Sequence, residues 1–151
     1  MTVGLHRDFD LQPLTDPADP DDWRPDSIWT LVTEESANVA VIIEEIGVGD
    51  AIPLHRHQID EVLLYESGAA EVRVDEETYR VQGGDIVIVP AGAAHGTRNV
   101  GSDKVSLRAV FPSHRIDMTY IERNPAPGTE GDPPRPGVVW DTRSGEVQPL
   151  P

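Results

Sequence analysis

The chain has no cysteine among its 151 residues. That excludes a disulfide framework, a thiolate metal ligand and a cysteine nucleophile. Lysine occurs once, at Lys104, so arginine supplies nearly all of the positive charge. Acidic residues outnumber basic ones 27 to 12, giving a formal net charge of −15 and an isoelectric point near 4.5. Such a field repels phosphate backbones and anionic lipids, so neither nucleic acid nor a membrane is expected as a partner. No run approaches the roughly 18 apolar residues that span a bilayer. No charged-then-apolar leader opens the chain, which makes the cytoplasm the expected location. Phosphate-binding loops, dinucleotide-binding glycine patterns and a Gly-x-Ser-x-Gly elbow are all missing. Helical periodicity is missing too.

What is present is a series of short strand-like runs. From Ser27 to about Pro112, apolar and β-branched segments alternate with turn signals. The runs are Ile28–Thr33, Val39–Ile46, Leu54–His57, Glu61–Glu66, Ala70–Val74, Thr78–Val81, Asp85–Val89, His95–Val100 and Val105–Phe111. This spacing predicts an all-β sandwich or barrel. The nearly all-apolar run at 85–89 is expected to be a strand buried on both sides. Residues 1–26 are rich in Asp and Pro and read as an extended N-terminal arm. Residues 113–151 form a C-terminal arm whose 124–137 stretch is dominated by Pro and Gly, with apolar character returning at Val138-Val139-Trp140. Trp23, Trp29 and Trp140 are expected to pack these arms onto the barrel or onto a partner subunit.

Two stretches carry the chemistry. One is Gly49-x5-His55-Arg56-His57-x3-Glu61-x6-Gly68; the other is Gly84-x5-Pro90-Ala91-Gly92-x2-His95-x3-Asn99. Successive side chains of a strand face opposite ways, so His55, His57 and Glu61 share a face if the strand stays regular, and Arg56 turns away. A barrel can bring His95 across to meet them. Three imidazoles and one carboxylate form a plausible site for iron, manganese or nickel, with zinc and copper also compatible. Four protein ligands on an octahedral metal leave two positions for water, substrate or dioxygen.

At these residues the chain resembles the cupin superfamily. The glycines, the His-x-His pair, the glutamate, the Pro-x-Gly turn, the third histidine and the asparagine stand at the spacings of that family's two signature motifs. The resemblance implies an antiparallel double-stranded β-helix, or jelly-roll barrel. It implies one divalent transition metal, with Fe2+ or Mn2+ favoured, on His55, His57, Glu61 and His95. It also implies a homodimer.

The remaining candidates have two readings each. Tyr65 shares the parity of Glu61 and is either a cavity residue that serves a substrate or a core tyrosine. Arg108, in the last strand, either holds a substrate carboxylate or lies on the outer face; Arg73 is similarly ambiguous. Asn99 reads as a turn residue, and the pairs Glu44-Glu45 and Glu76-Glu77 as solvated strand ends. The expected function is a metal-dependent enzyme acting on a small metabolite, dioxygenase-like in the first instance. The alternatives are an isomerase, lyase or decarboxylase, or a binding protein without catalysis.

Overall fold

The computed structural model describes residues 3–14 and 19–151; the expected arm is therefore described except at 1–2 and 15–18. All regular elements among the described residues are strands. In chain order they are β1 (Gln12–Pro13), β2 (Ile28–Thr33), β3 (Ala40–Ile46), β4 (Ala51–Arg56), β5 (Glu61–Ser67), β6 (Ala69–Val74) and β7 (Glu77–Gln82). They continue as β8 (Ile86–Val89), β9 (His95–Asn99), β10 (Val105–Phe111), β11 (Arg115–Tyr120), β12 (Val138–Asp141) and β13 (Val147–Pro149). One sheet has the order β1-β2-β3-β10-β5-β8 and the other β13-β12-β11-β4-β9-β6-β7. Every strand pair is antiparallel. The two sheets face each other as a jelly roll.

Period-two patterning drives this arrangement. In β10, Val105, Leu107, Ala109 and Phe111 are buried, while Ser106, Arg108 and Val110 alternate outward. Full burial of Val105, Leu107 or Phe111 contributes about 1.5–3 kcal/mol each, and that of Ala109 less. The inner faces of β3, β5, β6 and β11 add Ile46, Leu63, Val72 and Ile116 to the same core. Sharp corners separate the strands. Gly68, with φ of +84°, turns β5 into β6, and a Cβ there would lie 2.5 Å from the Lys104 carbonyl oxygen. No other residue type fits that corner without strain.

The expectation for 85–89 is corrected. β8 is the edge strand of the six-stranded sheet and pairs only with β5. Val89 is buried, but Ile86 and Ile88 are 63% and 68% exposed. The run is apolar on both faces, yet only one face is covered.

The strand pattern continues beyond the expected barrel. β11 pairs with β4, and β12 and β13 extend the same sheet. Trp140, on β12, meets Trp29, on β2, edge to face at 6.1 Å, which joins the two sheets across the cavity mouth. The segment at 19–24 runs beside the chain after β11. Trp23 N–H donates to the Asn124 carbonyl, and Asn124 N–H to that of Asp21. Arg123 reaches Asp21 at 2.9 Å.

Candidate metal centre

The four predicted ligands converge, by a route that differs from strand parity. His55 lies on β4. His57 comes just after that strand ends at Arg56, and Glu61 opens β5 in the opposite sheet. The chain crosses between sheets within 57–61, so Glu61 approaches from a different strand and owes its place to the crossover. His95 opens β9 and is the direct cross-strand partner of His55. A register shift between Ile52 and His55, spanning Pro53, breaks the alternation of β4. It allows both Ile52 and His55 to line the cavity.

One donor atom from each of His55, His57, Glu61 and His95 lies within 4.8 Å of the others. Glu61 Oε2 is 2.7 Å from His95 Nε2 and 3.3 Å from His57 Nε2. Each imidazole spends its other nitrogen on a carbonyl oxygen: His55 Nδ1 on Pro53 at 2.7 Å, His57 Nδ1 on Asp117 at 2.6 Å and His95 Nδ1 on Ala93 at 3.0 Å. A carbonyl can only accept, so these Nδ1 atoms carry protons. Three Nε2 atoms and a carboxylate then converge on one small space. His95 Nε2 sits at hydrogen-bond distance from Glu61, while the buried His57 Nε2 has no hydrogen-bond partner. A cation satisfies all four, so the donor set fits a divalent transition metal.

The electrostatics agree. Burial, aided by His95 and His57, pushes the His55 imidazole down to about 3. Burial alone would lift Glu61, but the imidazoles of His57 and His95 beside it bring it well below the usual carboxylate range. Burial would lower His57; Glu61 outweighs that and holds it above its ordinary value. His57 must give up its proton to ligate, so metal uptake is expected to weaken as pH falls through and below the raised His57 value, and to strengthen above it. Equilibrium dialysis across that range checks the sign; uptake independent of pH would contradict it.

The loops around the site are tied together. Gly92 N–H donates to the His57 carbonyl at 2.7 Å, and Ala91 N–H to Asp60 at 2.8 Å, joining the two motifs. Asp75, at the β6–β7 tip, accepts from Ala94 N–H at 2.9 Å, next to His95. Asp117, on β11, has two roles. Its carbonyl oxygen fixes His57, and its carboxylate accepts from Gln58 N–H through both oxygens, at 2.9 and 2.8 Å. Asp117→Ala is expected to lower metal affinity about 10–100-fold, as loss of such outer support does. A competition titration measures this; unchanged affinity would show the backbone contact to be sufficient.

A cavity of about 250 Å³ opens from the ligands. Its walls include Trp29, Ile42, Leu107, Phe111, Met118 and Trp140. Neither Tyr65 nor Arg108 lines it. Tyr65 is buried behind the wall with its hydroxyl 2.8 Å from Thr97 Oγ1, and burial raises its phenol above the ordinary value. Arg108 faces outward, 2.8 Å from Glu66, because it alternates with the buried Leu107 and Ala109. Arg73 pairs with Glu122 at a separate surface groove. Asn99 holds a turn: its Nδ2 donates to the carbonyls of Ile46 and Asp103, both at 2.9 Å. Glu44 corrects the reading of a solvated strand end. It lines the cavity, whereas Glu45 faces Lys104 on the surface. Arg24, Asp117 and the tryptophan pair also went unassigned as site residues. Only Glu44 had a sequence signal, its in-phase spacing with Ala40, Ile42 and Ile46.

Comparison with known proteins matches residues 42–111 to a cupin domain. An uncharacterised protein of Streptomyces coelicolor is 35% identical over 66 residues, covering 44% of this chain and 63% of that protein. The tetracenomycin polyketide synthase protein TcmJ of Streptomyces glaucescens is 28% identical over 98 residues, covering 62% of this chain and 64% of that protein. The chain thus spans less than two thirds of either relative. Among solved structures, oxalate decarboxylase from Bacillus subtilis superposes with a TM-score of 0.60 at 19% identity, over 69% of this chain and 30% of that one. Sequence motifs, sheet order and domain match agree: residues 42–111 are a cupin domain.

Proposed function

We propose that this protein is a metal-dependent enzyme acting on a small, largely apolar, oxygen-bearing metabolite, with a dioxygenase-like reaction as the first reading. The observation that carries it is the buried three-histidine, one-glutamate cluster set in the wall of a small apolar cavity. At about 250 Å³ the space falls at or below the usual range of ligand pockets, roughly 300–1,000 Å³, which favours a one-ring or short-chain substrate. Iron(II) or manganese(II) on these ligands would supply open positions for a substrate oxygen and for dioxygen. The chain itself does the rest. The three carbonyl-anchored imidazoles hold the donor geometry, Trp29, Trp140 and Phe111 exclude water, and Met118 and Ile42 shape the apolar end.

A second reading, proton transfer at a metal-polarised carbonyl without dioxygen, is favoured by one observation: Glu44, a second acid, partly buried, lines the same cavity. The similarity to a polyketide synthase protein suits either reading, since polyketides carry ketone and hydroxyl oxygens. The test is metal analysis of protein purified without chelators, followed by screening of small diketones, phenols and hydroxy acids in an oxygen electrode. One iron or manganese per chain with substrate-dependent oxygen uptake supports the first reading. Turnover without oxygen uptake supports the second. No uptake of iron, manganese, nickel or zinc would remove both. The homodimer implied by family resemblance is likewise a proposal, and light scattering should give twice the 16.5 kDa of one chain.

A further inference from the structure

Glu44 is a partly buried acid that the metal site leaves unused. On β3 it sits in phase with Ala40, Ile42 and Ile46, facing inward. Its cross-strand neighbours are Trp29 on β2 and Leu107 on β10, and both line the cavity with it. A carboxylate in such a row gives up its hydration and needs a compensating partner. Arg24 supplies part of this, with Nη1 donating to Glu44 Oε2 at 3.1 Å. Arg24 is already engaged, however. Its Nε and Nη2 donate to the two oxygens of Asp22, both at 2.8 Å. One cation therefore serves two carboxylates, and the cluster keeps one net negative charge on the cavity wall.

The arm places Arg24 and Asp22 beside Glu44, and Glu61 and Tyr65 of β5 act on it through space; Asp21, Glu122, Arg123 and Arg135 also line the cavity. The partners of Glu44 in the flanking strands, Trp29 and Leu107, do not titrate. Burial pushes the Glu44 carboxyl up; Arg24 pulls against this, and Asp22 and Glu61 add to the rise. The group is thus a better proton acceptor than a solvated glutamate.

We propose that Glu44 accepts the proton of a substrate hydroxyl, so that the cavity takes a neutral hydroxylated ligand (a phenol, enol or hydroxy ketone) and retains its proton. The substrate O–H bond breaks, its electron pair stays on the substrate oxygen, and a new O–H bond forms on Glu44. The oxygen left anionic would then be a better ligand for a divalent metal held by His55, His57, Glu61 and His95. This rests on the metal reading above. Charge balance supports it: Asp21 and Glu122 offset Arg123 and Arg135 on the cavity wall, and a divalent cation would offset Glu61 and the Asp22–Arg24–Glu44 cluster, leaving a site suited to a neutral molecule.

The test is calorimetry of catechol binding to manganese-loaded protein, in two buffers of different ionisation enthalpy, which counts the protons released per ligand bound. Wild type and Glu44→Asp should release fewer protons than Glu44→Gln, by about one at full transfer. Equal metal content in the three proteins confirms that the variants fold. Catechol binding with the same proton release in wild type and Glu44→Gln would overturn this proposal alone. Wild type that loads no metal would overturn the reading of the site, and this proposal with it.

Discussion

His57→Ala is expected to abolish activity and to lower metal affinity by more than the roughly 100-fold upper end seen for outer-sphere changes. Arg56→Ala, one residue away, should leave affinity within a few-fold of wild type. Arg56 is exposed and turned from the cavity, while His57 is buried with its Nε2 aimed at Glu61. Alanine at 57 removes one of four donors. It also removes the 2.6 Å contact to the Asp117 carbonyl and opens a hole beside Phe111, whose ring meets the imidazole edge-on at 5.1 Å. His57→Asn keeps much of the volume and separates packing from ligation. Metal stoichiometry by elemental analysis, with thermal melting of the metal-free proteins as a control for folding, decides the matter. Equal losses from the changes at 56 and 57 would show that the outer face at this point is needed for assembly and that the four-ligand site has been misassigned.

The cluster of His55, His57, Glu61 and His95 was legible in the sequence because metal sites constrain residue type and spacing together. The parity argument holds for His55, Arg56 and His57, which follow one extended path. It does not explain Glu61, which reaches the cluster only because the chain changes sheets between 57 and 61. Sequence periodicity is local and carries no information about a crossover. The same limit explains Asp117. Its support of His57 spans 60 residues and has no short-range signature. Glu44 was nearer to being legible. Adjacent acids suggest solvent, but on a strand they must face opposite ways, so one of the pair could point inward while Glu45 met Lys104 outside.

The strands at Ile28–Thr33 and Val105–Phe111 were read to the residue, and the others to within a few positions, because hydrophobic alternation there is strong. The edge strand β8 misled for a physical reason. A four-residue apolar run is compatible with burial on both sides or on one, and its pattern cannot tell which strand will lie beside it. The pattern of Pro and Gly after β11 was likewise silent about β12 and β13, which are short and separated from β11 by a long turn-rich segment.

That last segment is where the largest stability effect is expected. Removing residues 124–151 should lower the melting temperature sharply or prevent folding, although it leaves all four ligands in the chain. The truncation strips β12 from β11, uncovering Ile116 and Met118, and takes away Trp140, which packs on the core and on Trp29. It also removes anchors to the rest of the barrel: Arg143 donates to the carbonyls of Glu34 and Ala37, Thr142 to that of His114, and Arg135 to Tyr120. Trp140→Ala isolates the packing component. Large-to-small changes at well-packed aromatics cost about 3–5 kcal/mol, and the half-buried Trp140 belongs at the low end. About 3 kcal/mol corresponds to a fall of roughly 6–12 °C in a domain of this size. The truncation should exceed that, since it adds lost strand pairing to lost packing and approaches the whole stability of a typical domain, about 5–15 kcal/mol. Scanning calorimetry of the two variants beside the full chain measures both effects. A truncated protein that melts where the full chain does would make the segment a passive appendage, with no part in closing the cavity over the metal ligands.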